Sequence, residues 1–187
     1  MRFSIIDLGT NSVRIDVYEM NQKKIFQLLR ERVMIRLGEG LFQKKYITKN
    51  VMQRTLHTFE DFSDILYEFK VERVIAVGTS AMRVATNAQR LKKIIHKETG
   101  IQLKIISGLK EAELIAQGIL SYEKMPQGFS LLVDIGGGST EISLSRGHEL
   151  FFATSLNLGA HRLHQLFLKR NPPLKKNAID ILRSYIY

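Results

Sequence analysis

Two short loops of small polar residues carry the clearest chemical signal in this sequence. Each follows an apolar run: Asp7 opens the segment 7–12, and Asp134 opens the segment 134–140. Glycine lets backbone N–H groups approach an anion closely, and neighbouring hydroxyls add further donors. The residues expected to contact phosphate are Thr10, Asn11, Ser12, Gly136, Gly137, Gly138, Ser139 and Thr140. A plain tight hairpin would explain either loop alone, but two equivalent loops favour two phosphate-binding hairpins facing a shared cleft.

Carboxylates stand next to both loops and indicate a divalent cation. Asp134 ends the strand before the second loop, Glu141 follows that loop, and Asp7 is the matching residue of the first loop. Oxygen ligands of this kind suit a hard cation such as Mg²⁺. Other interpretations remain open: Asp134 could cap its own turn, Glu141 could be an exposed strand residue, and Asp7 could only shape its loop.

The pattern of elements indicates an α/β protein built from a diverged repeat. Strands are predicted at 3–6, 13–18, 25–33, 71–77 and 101–106. Helices are predicted from Thr48, from Asn87 to Gly100, and over 111–122 with Leu114, Ile115 and Ile119 inward. The resulting order is βββαβαβα.

A second copy of the pattern begins after a connector at 124–128. Its strands are predicted at 130–135, 140–145 and 149–156, with helices from about Ala160 and over 178–187. The domains expected are therefore 1–123 and the beginning of a second, 129–187, which looks truncated. Such a piece is expected to leave apolar side chains uncovered around Phe151, Phe152, Leu166 and Phe167.

Composition narrows the class of protein. The chain has 187 residues with no cysteine, which excludes disulfides and thiolate chemistry. No apolar run approaches the ~18 residues of a membrane helix, and no signal peptide precedes the first strand, so a cytoplasmic protein without membrane contact is expected. The formal net charge of +10 favours polyanionic ligands, yet the basic residues are scattered in pairs, so no specific nucleic-acid site is predicted.

Further motifs give the sequence a family resemblance. In order along the chain they are Ile5 to Arg14, Gly78 to Arg83, Ile106 to Gly108 with Glu111 and Ala112, Val133 to Glu141, and Leu158 to Ala160 with Arg162 and Leu163. The duplicated βββαβαβα unit resembles the actin-like superfamily, and the motifs together resemble its exopolyphosphatase / guanosine pentaphosphate phosphatase (Ppx/GppA) family. One position departs: Glu113 stands where the family usually has Arg.

The resemblance implies a function and further site residues. The family would release orthophosphate from the ends of polyphosphate or from guanosine pentaphosphate, using Mg²⁺ or Mn²⁺, and the full-length protein would be a homodimer. It assigns the general-base role to Glu111, although an acid in the first turn of a helix can also simply complement the helix dipole. Arg83, after a Thr-Ser pair, could grip phosphate with its guanidinium or lie on the surface.

Two other functions remain open from the sequence. A kinase or ATPase of the same superfamily would use the same two loops on ATP. A sensor would bind a phosphorylated nucleotide without turning it over, which Glu113 in place of the family Arg keeps possible.

Overall fold

The computed structural model describes residues 1–22, 24–168 and 176–187, with side chains omitted at 176–178. These residues form two compact units, Met1–Ile105 and Ile106–Tyr187. Within the described residues, no helix has the length and hydropathy needed to cross a membrane.

The first unit contains a five-stranded mixed sheet. Its strands are β1 (Arg2–Leu8), β2 (Val13–Asn21), β3 (Lys24–Val33), β4 (Arg73–Gly78) and β5 (Leu103–Ile105). They lie in the order β3-β2-β1-β4-β5, with β1, β2 and β3 antiparallel and β4 and β5 parallel to β1. Strand alternation places Ile6, Ile15 and Val17 in the core. The predicted antiparallel meander is confirmed.

Four helices accompany this sheet: α1 (Leu41–Lys44), α2 (Lys49–Glu68), α3 (Ser80–Val84) and α4 (Ala88–Thr99). Phe59 and Phe62 of α2 are fully buried, as the 3.6-residue period predicts. Gly100 ends α4 in the left-handed conformation, φ 72°, that glycine adopts readily. The short helices α1 and α3 were not predicted, because one turn is too short to show a helical period.

The second unit begins with α5 (Gly108–Tyr122), followed by β6 (Phe129–Ile135), β7 (Thr140–Arg146), β8 (Glu149–Leu156), α6 (Ala160–Phe167) and α7 (Lys176–Ile186). The three strands form an antiparallel sheet in the order β6-β7-β8. Helix α5 packs on β7 and β8. The compact units therefore divide before α5, whereas the sequence predicts a first domain that extends to residue 123.

The buried face of α5 agrees with the prediction in part: Ile115 and Ile119 are partly buried, but Leu114 is not on this face. Ala112 and Ala116 are fully buried, whereas Leu114 is 44% exposed. Leu120, four residues after Ala116, is 7% exposed, so the buried stripe of the helix combines two alanines with larger apolar side chains.

One face of the second sheet is apolar and exposed in this chain. Along β6 the alternate residues Leu131 and Ile135 are 66% and 70% exposed. The predicted uncovered residues Phe151 and Phe152 are also more than half exposed. Leu166 and Phe167 are instead partly buried, and the Phe167 ring lies 4.8 Å from that of Tyr185.

Candidate phosphate-binding loops

The two loops have the same closing geometry. In loop 1, residues 9–12, the Gly9 N–H donates to the Ser12 carbonyl at 3.0 Å; in loop 2, residues 136–139, the Gly136 N–H donates to the Ser139 carbonyl at 2.9 Å. A Cβ on either glycine would lie 3.1 Å from that same carbonyl oxygen. Glycine therefore occupies the first position of both loops because the turn closes tightly on it.

The carbonyl groups of loop 1 are held by the chain that follows β3. The Thr10 carbonyl accepts from the Gly38 N–H at 2.8 Å, and the Asn11 carbonyl accepts from the Arg36 N–H at 2.7 Å. Arg36 has φ 48°, a left-handed conformation that costs a non-glycine residue free energy. The strained residue is thus one that fixes loop 1 in place.

The carbonyl groups of loop 2 are held by the chain that follows β8. The N–H of Ala160 donates to the Gly136 carbonyl at 3.0 Å, and the N–H of His161 donates to the Gly137 carbonyl at 2.9 Å. The buried Arg162 donates from Nε to the Gly138 carbonyl at 2.6 Å. The first turn of α6 is therefore docked on loop 2.

This arrangement directs amide groups to the open side of each loop. In a trans peptide the C=O and the following N–H point in opposite directions. The N–H groups that point away from the supporting chain belong to Asn11, Ser12, Gly137, Gly138 and Ser139. None of them donates to a protein acceptor in the part of the chain that the structure describes. Successive outward N–H groups form a concave site suited to an anion.

Gly159 explains one motif that the sequence left without a role. A Cβ at this position would lie 2.3 Å from both the backbone N and C of Gly138. No side chain fits there, so Gly159 allows the supporting chain to touch loop 2. The sequence contains a signal for this: the Leu-Gly pair at 37–38 recurs at 158–159, after the third strand of each copy.

The hydroxyl groups of the two loops differ in their partners. Thr140 Oγ1 donates to the Leu158 carbonyl at 2.6 Å, so its proton is engaged inside the protein. Ser139 and Thr10 are nearly buried. Ser12 Oγ accepts a hydrogen bond of 2.8 Å from Nε of Arg32, a residue of β3 that sequence reasoning missed. Strand alternation alone placed Arg32 on one of two faces and gave no signal for this contact.

Two of the three predicted metal ligands are cross-strand partners. Asp134 of β6 lies directly opposite Glu141 of β7. Asp134 is exposed, whereas Glu141 is only 3% exposed and its Oε1 accepts from the Ser155 hydroxyl at 2.7 Å. The alternative of Glu141 as an exposed strand residue is therefore wrong. Asp7 lies in the other unit, opposite Arg14 in the β1–β2 register.

This donor set fits Mg²⁺ with additional ligands from water or substrate. Among the described residues no group of three or more His, Asp or Glu side chains could hold a metal ion by itself. Mg²⁺ in phosphate-binding proteins is commonly held by one or two carboxylates, with water and phosphate oxygens completing its octahedron. Asp134 and Glu141 provide such a pair beside loop 2.

Arg83 lies in the last turn of α3 and Glu111 in the first turn of α5, in separate units. Strands β1 and β4 end side by side, with Leu8 paired to Gly78, and the Thr79 N–H donates to the Leu8 carbonyl at 3.2 Å. Helix α3, which carries Arg83, therefore starts beside loop 1. Glu111 is half-buried in the first turn of α5, and Ser107 Oγ caps that helix by accepting from the Lys110 N–H.

Glu113, the departure from the family pattern, has a surface partner. Its carboxylate lies 3.2 Å from Nζ of Lys110, one turn earlier on α5. Both side chains are substantially exposed, and pairs of this kind contribute little to stability.

Comparison with known proteins identifies the family. Residues 16–186 match the model of the Ppx/GppA phosphatase family. The chain belongs to this family. Its fold is the predicted actin-like α/β fold: it is similar to the crystal structure of an exopolyphosphatase from Cytophaga hutchinsonii, with TM-score 0.93 and 34% identity, covering 100% of this chain and 59% of that one.

Curated relatives are longer than this chain. It is 29% identical over 187 residues to Exopolyphosphatase 1 of Mycobacterium tuberculosis, covering 100% of this chain and 54% of that protein. It is 32% identical over 174 residues to the bifunctional 3-dehydroquinate synthase/phosphatase of Fusobacterium nucleatum, covering 89% of this chain and 26% of that protein. The chain thus spans at most about half of these curated relatives.

Proposed function

We propose that the complete gene product is a Mg²⁺-dependent phosphohydrolase that releases orthophosphate from the ends of inorganic polyphosphate. The observation that supports this most directly is the geometry of the two loops: their carbonyl groups accept hydrogen bonds from the supporting chain, so their N–H groups face outward. Such loops bind the oxygens of phosphate groups. Family membership and a relative named exopolyphosphatase point to the same substrate class.

The residues of this chain would have distinct roles in the reaction. The outward N–H groups of loop 2 and the Ser139 hydroxyl hold the oxygens of the reacting phosphoryl group and stabilise their negative charge in the transition state, and the outward N–H groups of loop 1 bind other phosphate oxygens of the substrate. Glu111 takes a proton from the attacking water. The water oxygen forms a bond to the terminal phosphorus while the phosphoanhydride bond breaks, so that orthophosphate and a chain shorter by one phosphate leave.

A bound Mg²⁺, or Mn²⁺ in its place, would neutralise charge on the phosphoryl oxygens. Asp134 and Glu141 are the residues that would hold it beside loop 2, and Asp7 is a separate candidate ligand beside loop 1. Because Glu141 already accepts the Ser155 hydroxyl, Asp134 is the more available carboxylate of the cross-strand pair.

Guanosine pentaphosphate is the second proposed substrate. It carries a terminal phosphoanhydride of the same chemistry, and loops that bind a substrate through its phosphate oxygens would suit either substrate. We also propose that the protein is cytoplasmic and a homodimer, and light scattering of the complete gene product tests the dimer.

A side-by-side assay tests the function. Phosphate release is measured from long-chain polyphosphate, guanosine pentaphosphate and ATP, each with and without Mg²⁺. We expect turnover of the first, the second or both, and none without the metal. Turnover of ATP alone would favour a kinase or ATPase, and tight binding of the nucleotide without turnover would favour a sensor.

A further inference from the structure

Three arginines lie on the outward face of the sheet beside loop 1. Arg14 of β2 lies directly opposite Arg32 of β3, and Arg30 lies opposite Asp16 in the same register. Asp16 has a side chain only 3% exposed and contacts both of its neighbours: Arg14 Nε lies 3.0 Å from Oδ2, and Arg30 Nε donates to Oδ1. One buried carboxylate thus pairs with two of the three cations.

Arg32 differs from these two arginines. It is exposed, and within the described residues no carboxylate lies within ion-pair distance of it. Its Nε instead donates to Ser12 Oγ at 2.8 Å. Like charges directly opposite one another in an antiparallel pair repel, so Arg14 and Arg32 together favour an anion at this position.

The contact with Arg32 also orients the Ser12 hydroxyl. Because Ser12 Oγ accepts a proton from the guanidinium, its own O–H is directed away from Arg32 and remains a donor. The same residue presents its outward backbone N–H. The other guanidinium nitrogens of Arg32 add charge-assisted donors that match the spacing of phosphate oxygens.

We propose that Arg32 and Ser12 form a phosphate subsite at the edge of loop 1 that binds a non-reacting phosphate of the substrate chain. This inference rests on the proposed function, because a substrate with several phosphates is what would occupy the reacting position and this subsite together. A ligand with one phosphate would gain little from Arg32.

Four variants of the complete gene product test the subsite. Arg32→Gln removes the cation, and Ser12→Ala removes the hydroxyl. Arg32→Lys keeps the positive charge but replaces the planar guanidinium group, with its several N–H donors, by an ammonium group. Lys24→Gln is the matched control, since Lys24 is an exposed cation at the opposite end of β3, paired with Asn21. Arg32 is exposed, so Arg32→Gln should keep the wild-type unfolding temperature.

Steady-state kinetics on long-chain polyphosphate separate binding from chemistry. Arg32→Gln should raise KM by about tenfold or more while kcat stays within about threefold, as expected when a charge-assisted contact to a non-reacting group is lost. Arg32→Lys should recover only part of this loss. Lys24→Gln should match wild type. The Arg32→Gln and Ser12→Ala effects should be less than additive in the double variant. An Arg32→Gln KM equal to that of Lys24→Gln would overturn the proposal.

Direct binding separates this inference from the proposed function. Calorimetry with inorganic tripolyphosphate should show about tenfold weaker binding to Arg32→Gln than to wild type, and orthophosphate should show no such difference. This result would support the subsite even if the wild-type protein released no phosphate. Equal tripolyphosphate affinity of the two proteins, or no binding to wild type, would refute it even if hydrolysis were observed.

Discussion

Replacing Gly159 by alanine should uncouple α6 from loop 2. The added Cβ would lie 2.3 Å from backbone atoms of Gly138, which unlike the end of a side chain cannot move aside. Ordinary contact begins near 3.4 Å, so the start of α6 must retreat by about 1 Å. The N–H groups of Ala160 and His161, now 3.0 Å and 2.9 Å from their carbonyl acceptors, would then pass beyond hydrogen-bond distance.

The free-energy cost of displacing α6 follows from the hydrogen bonds that are lost. Three backbone hydrogen bonds join the first turn of α6 to Gly136 and Gly137. At about 0.5–1.5 kcal/mol each, their loss should lower the free energy of unfolding of the second unit by about 1.5–4.5 kcal/mol. Since a displacement of about 1 Å at a positioned group can lower a rate on the order of 100-fold, kcat for phosphate release should fall by a comparable factor.

Gly118→Ala is the matched control for this experiment. Gly118 lies in α5 of the same unit, and a Cβ there would meet no atom within 4 Å. Alanine in a helix is favoured over glycine by roughly 0.5–1 kcal/mol, so this variant should be as stable as wild type or slightly more so. Chemical denaturation and phosphate release are measured on both variants. If Gly159→Ala behaved like Gly118→Ala, loop 2 would not depend on the close approach of α6.

Three further substitutions test the proposed roles of individual residues in the complete gene product. Glu111→Gln should lower kcat at least ~100-fold with substrate affinity retained, as expected for loss of a general base. Glu113→Gln on the same helix is the control, and its kcat should stay within a few fold of wild type. Equal kcat values in the two variants would show that Glu111 only complements the helix dipole. Asp134→Asn, titrated with Mg²⁺ in the phosphate-release assay, should need on the order of tenfold more metal for half-maximal rate; an unchanged titration would place the cation elsewhere. Arg83→Ala should raise KM at low salt by about tenfold, because a phosphate-binding cation is lost; an unchanged KM would assign Arg83 to the surface.

Local sequence patterns were sufficient to predict most of the elements and the repeat. Strand alternation and helical periods identified the strands and the longer helices, because each residue's burial on a regular element repeats with that element's own geometry. The two Asp-x-Gly loops were visible for the same reason: tight turns require specific local residues. The five ordered motifs were sufficient to predict the family and the actin-like fold, both of which are confirmed.

Which side chains contact one another depends on how the elements pack. Of the α5 residues predicted to face inward, Ile115 and Ile119 are partly buried but Leu114 is exposed, because periodicity does not tell which side of the apolar stripe faces a sheet. The contact between Arg32 and Ser12 joins residues of different elements, and nothing local marks it. The outward direction of the loop amides likewise depends on hydrogen bonds from Gly38 and Ala160, which are brought to the loops only when the third strand of each copy returns along its sheet. Such contacts are set by packing between elements distant in sequence, and the only local trace of them is the Leu-Gly pair that occurs at 37–38 and again at 158–159.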